Sequence, residues 1–323
     1  MDPQQPAHRH PASGGGARGV KPEMFAIVMA TGIVSISAAD HGFGIVSVPL
    51  AALAAVALPV LMYLAAARWR TFDLRDIDTV VGFFTYVAAC AVLASRFADH
   101  SVVLWGLGAM GLVGWLSLVP SLLKRMWRLG PTGLRDRAHG TWELASVATS
   151  GLAIVFVAAG IVFWALIFWA CALAAYCVMT LLIAWRALGE PEARRNVPPD
   201  HWILMGALAI ATLAGEHIHA ALHPGPLADG VRIITIVTLA VATVQIVPLA
   251  ITSWRQMLDW PAVFPLGMYS AATFAMMLET GWQPLAIVSL VFFWIALAAW
   301  LAVAVIVTRR LIRLTSEHGL RPE

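Results

Sequence analysis

Apolar residues in this chain run in long continuous blocks separated by short polar clusters, without the two-residue alternation of a strand. A bilayer core takes about 20 helical residues. On that measure the blocks predict ten spanning helices, near 24–40, 46–67, 80–96, 101–123, 140–159, 161–185, 202–221, 232–254, 261–278 and 285–307. Continuous apolar runs favour helices over a closed barrel, the other structure that satisfies its backbone inside lipid. The run from Leu144 to Trp185 is too long for one span, and Ala159–Gly160 is the only turn in it, so a tight hairpin is expected there. The odd spans begin about 60 residues apart, one helical hairpin per step, a spacing at which structural repeats occur. Five equivalent hairpins would set five helices around one axis. The expected fold is an all-α integral membrane protein of ten transmembrane helices arranged as five helical hairpins.

Composition fixes the solvent. Of the 323 residues 60% are hydrophobic and 12% charged, against about 25% charged in a soluble domain, and the mean hydropathy is +0.80. Charge then sets the orientation. With both termini placed in the cytoplasm, 19 of the 21 Lys and Arg fall in cytoplasmic segments, and only Arg96 and Arg232 fall outside. That bias predicts a multi-pass protein of the cell (plasma or inner) membrane. It also accounts for the net charge of +3 without nucleic acid. Residues 1–20 are rich in Pro, Gly, Ala and His and predict a disordered cytoplasmic tail. Residues 21–310 form the transmembrane domain and 311–323 a short cytoplasmic tail. Trp69, Trp127, Trp142, Trp185, Trp202, Trp254 and Trp260 sit at predicted cytoplasmic span ends, where they are expected to be headgroup anchors. Cys90, Cys171 and Cys177 lie inside apolar runs and offer no disulfide framework.

Candidate chemistry is sparse. The ninth span, WPAVFPLGMYSAATFAMML, is broken near its start by Pro261 and Pro265. Proline removes a backbone N–H and clashes with the preceding turn, a defect tolerated in lipid beside other helices or a water-filled cavity. Phe264 stands beside this break as a candidate gate, with Pro265 and Gly267 as the kink. No ring of Asp or Glu crosses the membrane centre, as a cation pore would need. The odd spans carry small hydroxyls instead: Thr31, Ser35, Thr85, Thr149, Ser150, Thr212 and Ser270 are candidate pore-lining residues, against the alternative that each bonds its own helix backbone. Gly108, Gly111 and Gly114 in the fourth span permit close helix contact. Glu143 is expected as an interfacial carboxylate at a helix start. Glu216, His219 and His223, in GEHIHAALH, form a candidate pH-responsive mouth, with His219 and His223 placed to share a face.

The stretches MFAIVMATGIVS, VGFFTYVAA, PPDHWILMGALAIATLAG and VFPLGMYSAAT together resemble the tellurite-resistance/dicarboxylate transporter family, related to the slow anion channels of guard cells and to fungal malate and sulfite transporters. The resemblance runs from about Met24 to Arg310. It implies odd helices lining a central pore, a homotrimer with one pore per subunit, and a pore-blocking phenylalanine that falls on Phe264. The third span departs from the family wording: Asp78, Thr79 and Val80 stand where Arg-Gly is commoner.

Three functions compete. One is gated passage of small anions through the pore, with no cofactor and no enzymatic step. A second is a proton-coupled carrier of C4-dicarboxylates, sulfite or tellurium oxyanions, using Glu216 and the histidines. The third is an intramembrane metalloenzyme built on His217, His219 and His223; against it, the chain lacks HExxH and any nucleophile motif.

Overall fold

The structure, a computed structural model, describes residues 22–189, 199–253 and 260–319. Residues 1–20 and 320–323, with Arg194, Arg195, Trp254 and Arg255, lie outside the described residues. Among the described residues ten helices are long and apolar enough to cross a membrane, and no strand occurs. The first five are α1 (Pro22–Asp40), α2 (Gly44–Ala67), α3 (Ile77–Arg96), α4 (Ser101–Arg137) and α5 (Gly140–Ala158). They are followed by α6 (Val162–Gly189), α7 (Trp202–Ala221), α8 (Pro226–Ser253), α9 (Trp260–Thr280) and α10 (Pro284–Gly319). The hairpin expected at Ala159–Gly160 is present, with Gly160 at φ +77°. Gly42 and Gly281 turn the first and fifth hairpins at φ +76° and +67°, a left-handed conformation that glycine adopts without a Cβ penalty.

Burial separates the helices into two rings. The apolar windows of the odd helices are 67–83% buried, those of the even helices 17–33%. Each odd helix packs on the next, and α9 packs back on α1, so the inner ring closes within one chain. Each even helix lies chiefly against the odd helix of its own hairpin. Two helices outrun their apolar blocks: α4 breaks at a kink at Gly130 (φ 66°, ψ 173°) and a further short helix runs on to Arg137, while α10 continues to Gly319, into the stretch expected as a tail. Hydropathy marks where lipid ends, and the Leu- and Arg-containing end of α10 continues past that point on propensity.

Glycines set the spacing of the inner ring. A Cβ on Gly32 of α1 would sit 2.7 Å from Val92 Cγ1 of α3, and one on Gly151 of α5 would sit 2.9 Å from Ala91 of α3. On the other side, Gly206 of α7 faces Pro265, and Gly267 of α9 faces Ile33, each with 3.0 Å for a Cβ. Gly108, Gly111 and Gly114 give α4 the close contact expected of them, against Val155, Leu152 and Tyr86. Without a hydrophobic drive between helices in lipid, such close backbone approach is what van der Waals packing needs.

We call the end bearing the five hairpin turns the turn end, and the opposite end the connector end. At the connector end the tryptophan expectation needs correction: Trp142 and Trp202 are fully buried, and Trp142 Nε1 donates to Asp78 Oδ1 at 3.0 Å. They lock α5 and α7 into the ring, whereas Trp69 and Trp127 are exposed. Asp76 caps α3 by accepting from the Thr79 amide at 3.0 Å. Asp200, just before α7, accepts from both the amide (3.1 Å) and the hydroxyl (3.2 Å) of Thr141.

Candidate functional site

All five inner helices contribute to one cavity of about 360 Å³ in the turn-end half of the ring. Its deeper wall is apolar: Ile33 of α1, Ala91 and Val92 of α3, Gly151 and Ile154 of α5, Ile210 and Leu213 of α7, and Met268 and Ala271 of α9. Its mouth is charged, with Asp40, Arg96, Glu216 and His217.

Phe264 is not among the lining residues but precedes them on α9. On α9 the cavity is lined by Met268, Ala271 and Ala275, and helical residues three and four apart share a face. Phe264 precedes Met268 by four and Ala271 by seven, so it continues the same axial stripe one turn beyond the floor. It is wholly buried and among the largest side chains that are. The helix runs unbroken through Pro265, whose ring packs where Gly206 of α7 leaves room. Ser37 Oγ of α1 donates to the Gly267 carbonyl at 2.9 Å. The segment after Phe264 is thus held from both neighbouring helices.

None of the seven candidate hydroxyls is among the residues lining this cavity. Thr31 donates to Ile27 O and accepts from Trp300 Nε1 of α10. Thr149 donates to Ala145 O and accepts from Trp115 Nε1 of α4. Thr85 bonds the Gly82 and Pro22 carbonyls, and Thr212 bonds Leu208 O and Thr238 of α8. Ser35 and Ser270 each bond a serine across their own hairpin, Ser47 and Ser289. The physical reason is that a hydroxyl buried in lipid bonds the nearest carbonyl or binds its outer helix. Ser150 is the exception: its hydroxyl is buried with no partner.

The mouth also differs from expectation. Glu216 lines the cavity and lies 3.5 Å from His217. His219 turns instead to Glu279 Oε1 at 3.2 Å, which Arg232 Nε also approaches at 3.1 Å. His223 does not share a face with His219, because α7 ends at Ala221 and His223 is exposed in the turn. Pro224 drives the residue before it toward extended backbone. Among the described residues no group of three His, Cys, Asp or Glu could hold a metal ion. Glu143 is not interfacial: it is fully buried, with Oε1 accepting from Thr180 Oγ1 at 2.7 Å and Oε2 unpartnered.

Sequence reasoning missed Arg96 and His41. Arg96 Nε donates to Ser35 Oγ at 3.0 Å and its Nη2 to Ser47 Oγ at 2.9 Å. His41 Nε2 bonds Ser289 Oγ at 3.0 Å and packs edge-on to the cavity-lining Phe274. Burial holds the His41 imidazole below its ordinary value. A signal for Arg96 was present: it is one of only two basic residues that the charge count left at the turn end.

Over residues 19–308 the sequence matches the family profile of the voltage-dependent anion channels, SLAC1. The chain belongs to this family. Two membrane proteins from two strains of Mycobacterium tuberculosis, both described as uncharacterized, are 30% identical to it over 144 residues, covering 39% of this chain and 71% of theirs. Membership joins the ten apolar helices to a transport role: this is a multi-pass membrane protein of an anion-transport family.

Proposed function

We propose that the chain is a passive channel for small anions, whose path runs along the inner-ring axis and is closed by the Phe264 ring. The observation that carries this reading is the position of Phe264, wholly buried on the stripe of α9 that lines the cavity, one turn below its floor. A bulky apolar ring in a narrow axial segment closes a pore by dewetting it. The apolar wall offers an ion no fixed partner, so selectivity follows dehydration cost and favours nitrate over chloride. In this reading the connector end, with its excess of Lys and Arg, faces the cytoplasm, and the protein assembles as a homotrimer in the cell membrane.

The experiment is anion current from purified protein in planar bilayers, wild type beside Phe264→Ala, in chloride and then nitrate. Large anion-selective currents in the variant, with little in wild type, are expected. A cation reversal potential, or silence in both proteins, overturns the reading.

A second reading has its own observation: two carboxylates, Asp40 and Glu216, line the same cavity. They suit a proton-coupled carrier of C4-dicarboxylates, sulfite or tellurium oxyanions. Such a carrier gives saturable, pH-driven uptake into vesicles, with no current from Phe264→Ala.

A further inference from the structure

Arg96 closes α3 with its guanidinium on the cavity wall. Its partners are fixed before it arrives. Ser35 Oγ donates to the Ser47 carbonyl and Ser47 Oγ to the Ser35 carbonyl, both at 2.8 Å across the α1–α2 turn. A hydroxyl has one proton to give, so toward Arg96 the two serines act only as acceptors. They hold Nε and Nη2 along one edge. The other edge, with both protons of Nη1, meets no protein acceptor among the described residues. The ion pairs near this end join Glu216 to His217 and Glu279 to His219 and Arg232, and among the described residues none includes Arg96.

A guanidinium anchored by one edge, with protons of the other edge unpaired, on the wall of a cavity of about 360 Å³ is an arrangement that can receive an anion. We propose that Arg96, held by the Ser35–Ser47 clasp, is a binding site for a small monovalent inorganic anion, chloride or nitrate, at the turn-end mouth of the cavity. The proposal rests on the anion-passage reading above and adds where the ion first binds. The titratable and charged groups facing the site are Asp40 from α1, Arg96 from α3, and Glu216 and His217 from α7; α5 and α9 contribute only uncharged lining. Ionised Asp40 and Glu216 oppose the anion and protonated His217 favours it, so binding tightens as pH falls.

The test is chloride NMR line broadening by the purified full-length protein in detergent, titrated with chloride and competed with nitrate. Wild type is expected to broaden the line, and nitrate to relieve the broadening. Arg96→Gln is expected to bind about tenfold more weakly, the scale of a charged hydrogen bond lost. Asp40→Asn should bind more tightly than wild type, and it decides the matter if Arg96→Gln does not fold. Wild-type affinity in Arg96→Gln, weaker binding in Asp40→Asn, or no broadening by wild type overturns the site. The measurement needs no flux. If Phe264→Ala carries no current yet Arg96-dependent binding persists, the gate reading falls and the site stands. If Phe264→Ala conducts while Arg96→Gln binds chloride as wild type does, the site falls and the gate stands.

Discussion

Asp200 shows what one carboxylate does at the connector end. It reaches from the segment before α7 to the first turn of α5, where it accepts the amide and hydroxyl of Thr141. That turn, Gly140–Glu143, is a 3-10 helix whose first N–H groups have no carbonyl before them within the turn, and Asp200 takes up that of Thr141. Gly140 has no room for a Cβ, which would strike the Asp200 carbonyl. Burial alone would raise the Asp200 carboxyl, but the bond and charge of His201, with His139 and the Thr141 amide, together hold it below its ordinary value of 3.8. The sign follows: a depressed folded value contributes stability above pH 3.8, lost as pH falls below it. Asp200→Ala is therefore expected to cost about 1 kcal/mol at neutral pH, the scale of a lost cap. Thermal unfolding in detergent checks this. The gap between variant and wild type should close as pH is taken below 3.8, and a pH-independent gap would assign the loss to packing.

At the scale of elements, the inner ring stands or falls on glycine contacts. Gly32→Ala places a methyl into Val92 Cγ1 and is expected to destabilise by about 1–3 kcal/mol, the usual cost of overpacking. Val92→Ala in the same chain should return a large part of that loss. A double-mutant cycle of unfolding would show the coupling, and strict additivity would mean that α1 and α3 part freely. The helices themselves were legible because a 20-residue apolar block has few alternatives in lipid, and the turn at Gly160 was legible because the block was too long. Helix facing was not. Ser35, Thr149 and Ser270 read as axial hydroxyls because period alone does not say which face of a wholly apolar helix meets the axis. Their partners, Ser47, Trp115 and Ser289, lie on outer helices that no local pattern names. The clasp even recurs: Ser270 and Ser289 exchange hydroxyl bonds to each other's carbonyls and receive His41, as Ser35 and Ser47 receive Arg96. In both cases the basic side chain comes from the turn end of the next inner helix round the ring.

For the whole molecule the decisive feature is closure. The five inner helices form an unbroken ring in one chain, α9 against α1, and the outer helices leave large apolar side chains such as Ile45, Val102 and Ile251 exposed. That outer surface suits lipid or sister chains, so association can bury it without touching the axis. On the channel reading proposed above, the pathway then belongs to each chain separately, whatever the assembly. Assemblies formed from mixed wild-type and Phe264→Ala chains should show this in single-channel records. Each variant chain is expected to contribute one open level of fixed amplitude, so that the number of levels follows the number of variant chains while their size does not change. A path formed between chains would behave otherwise: one variant chain would open the shared route only in part, and the amplitude itself would rise in steps with composition. Because the inner helices close on one another within a single chain, equal-amplitude levels are the outcome expected on the channel reading.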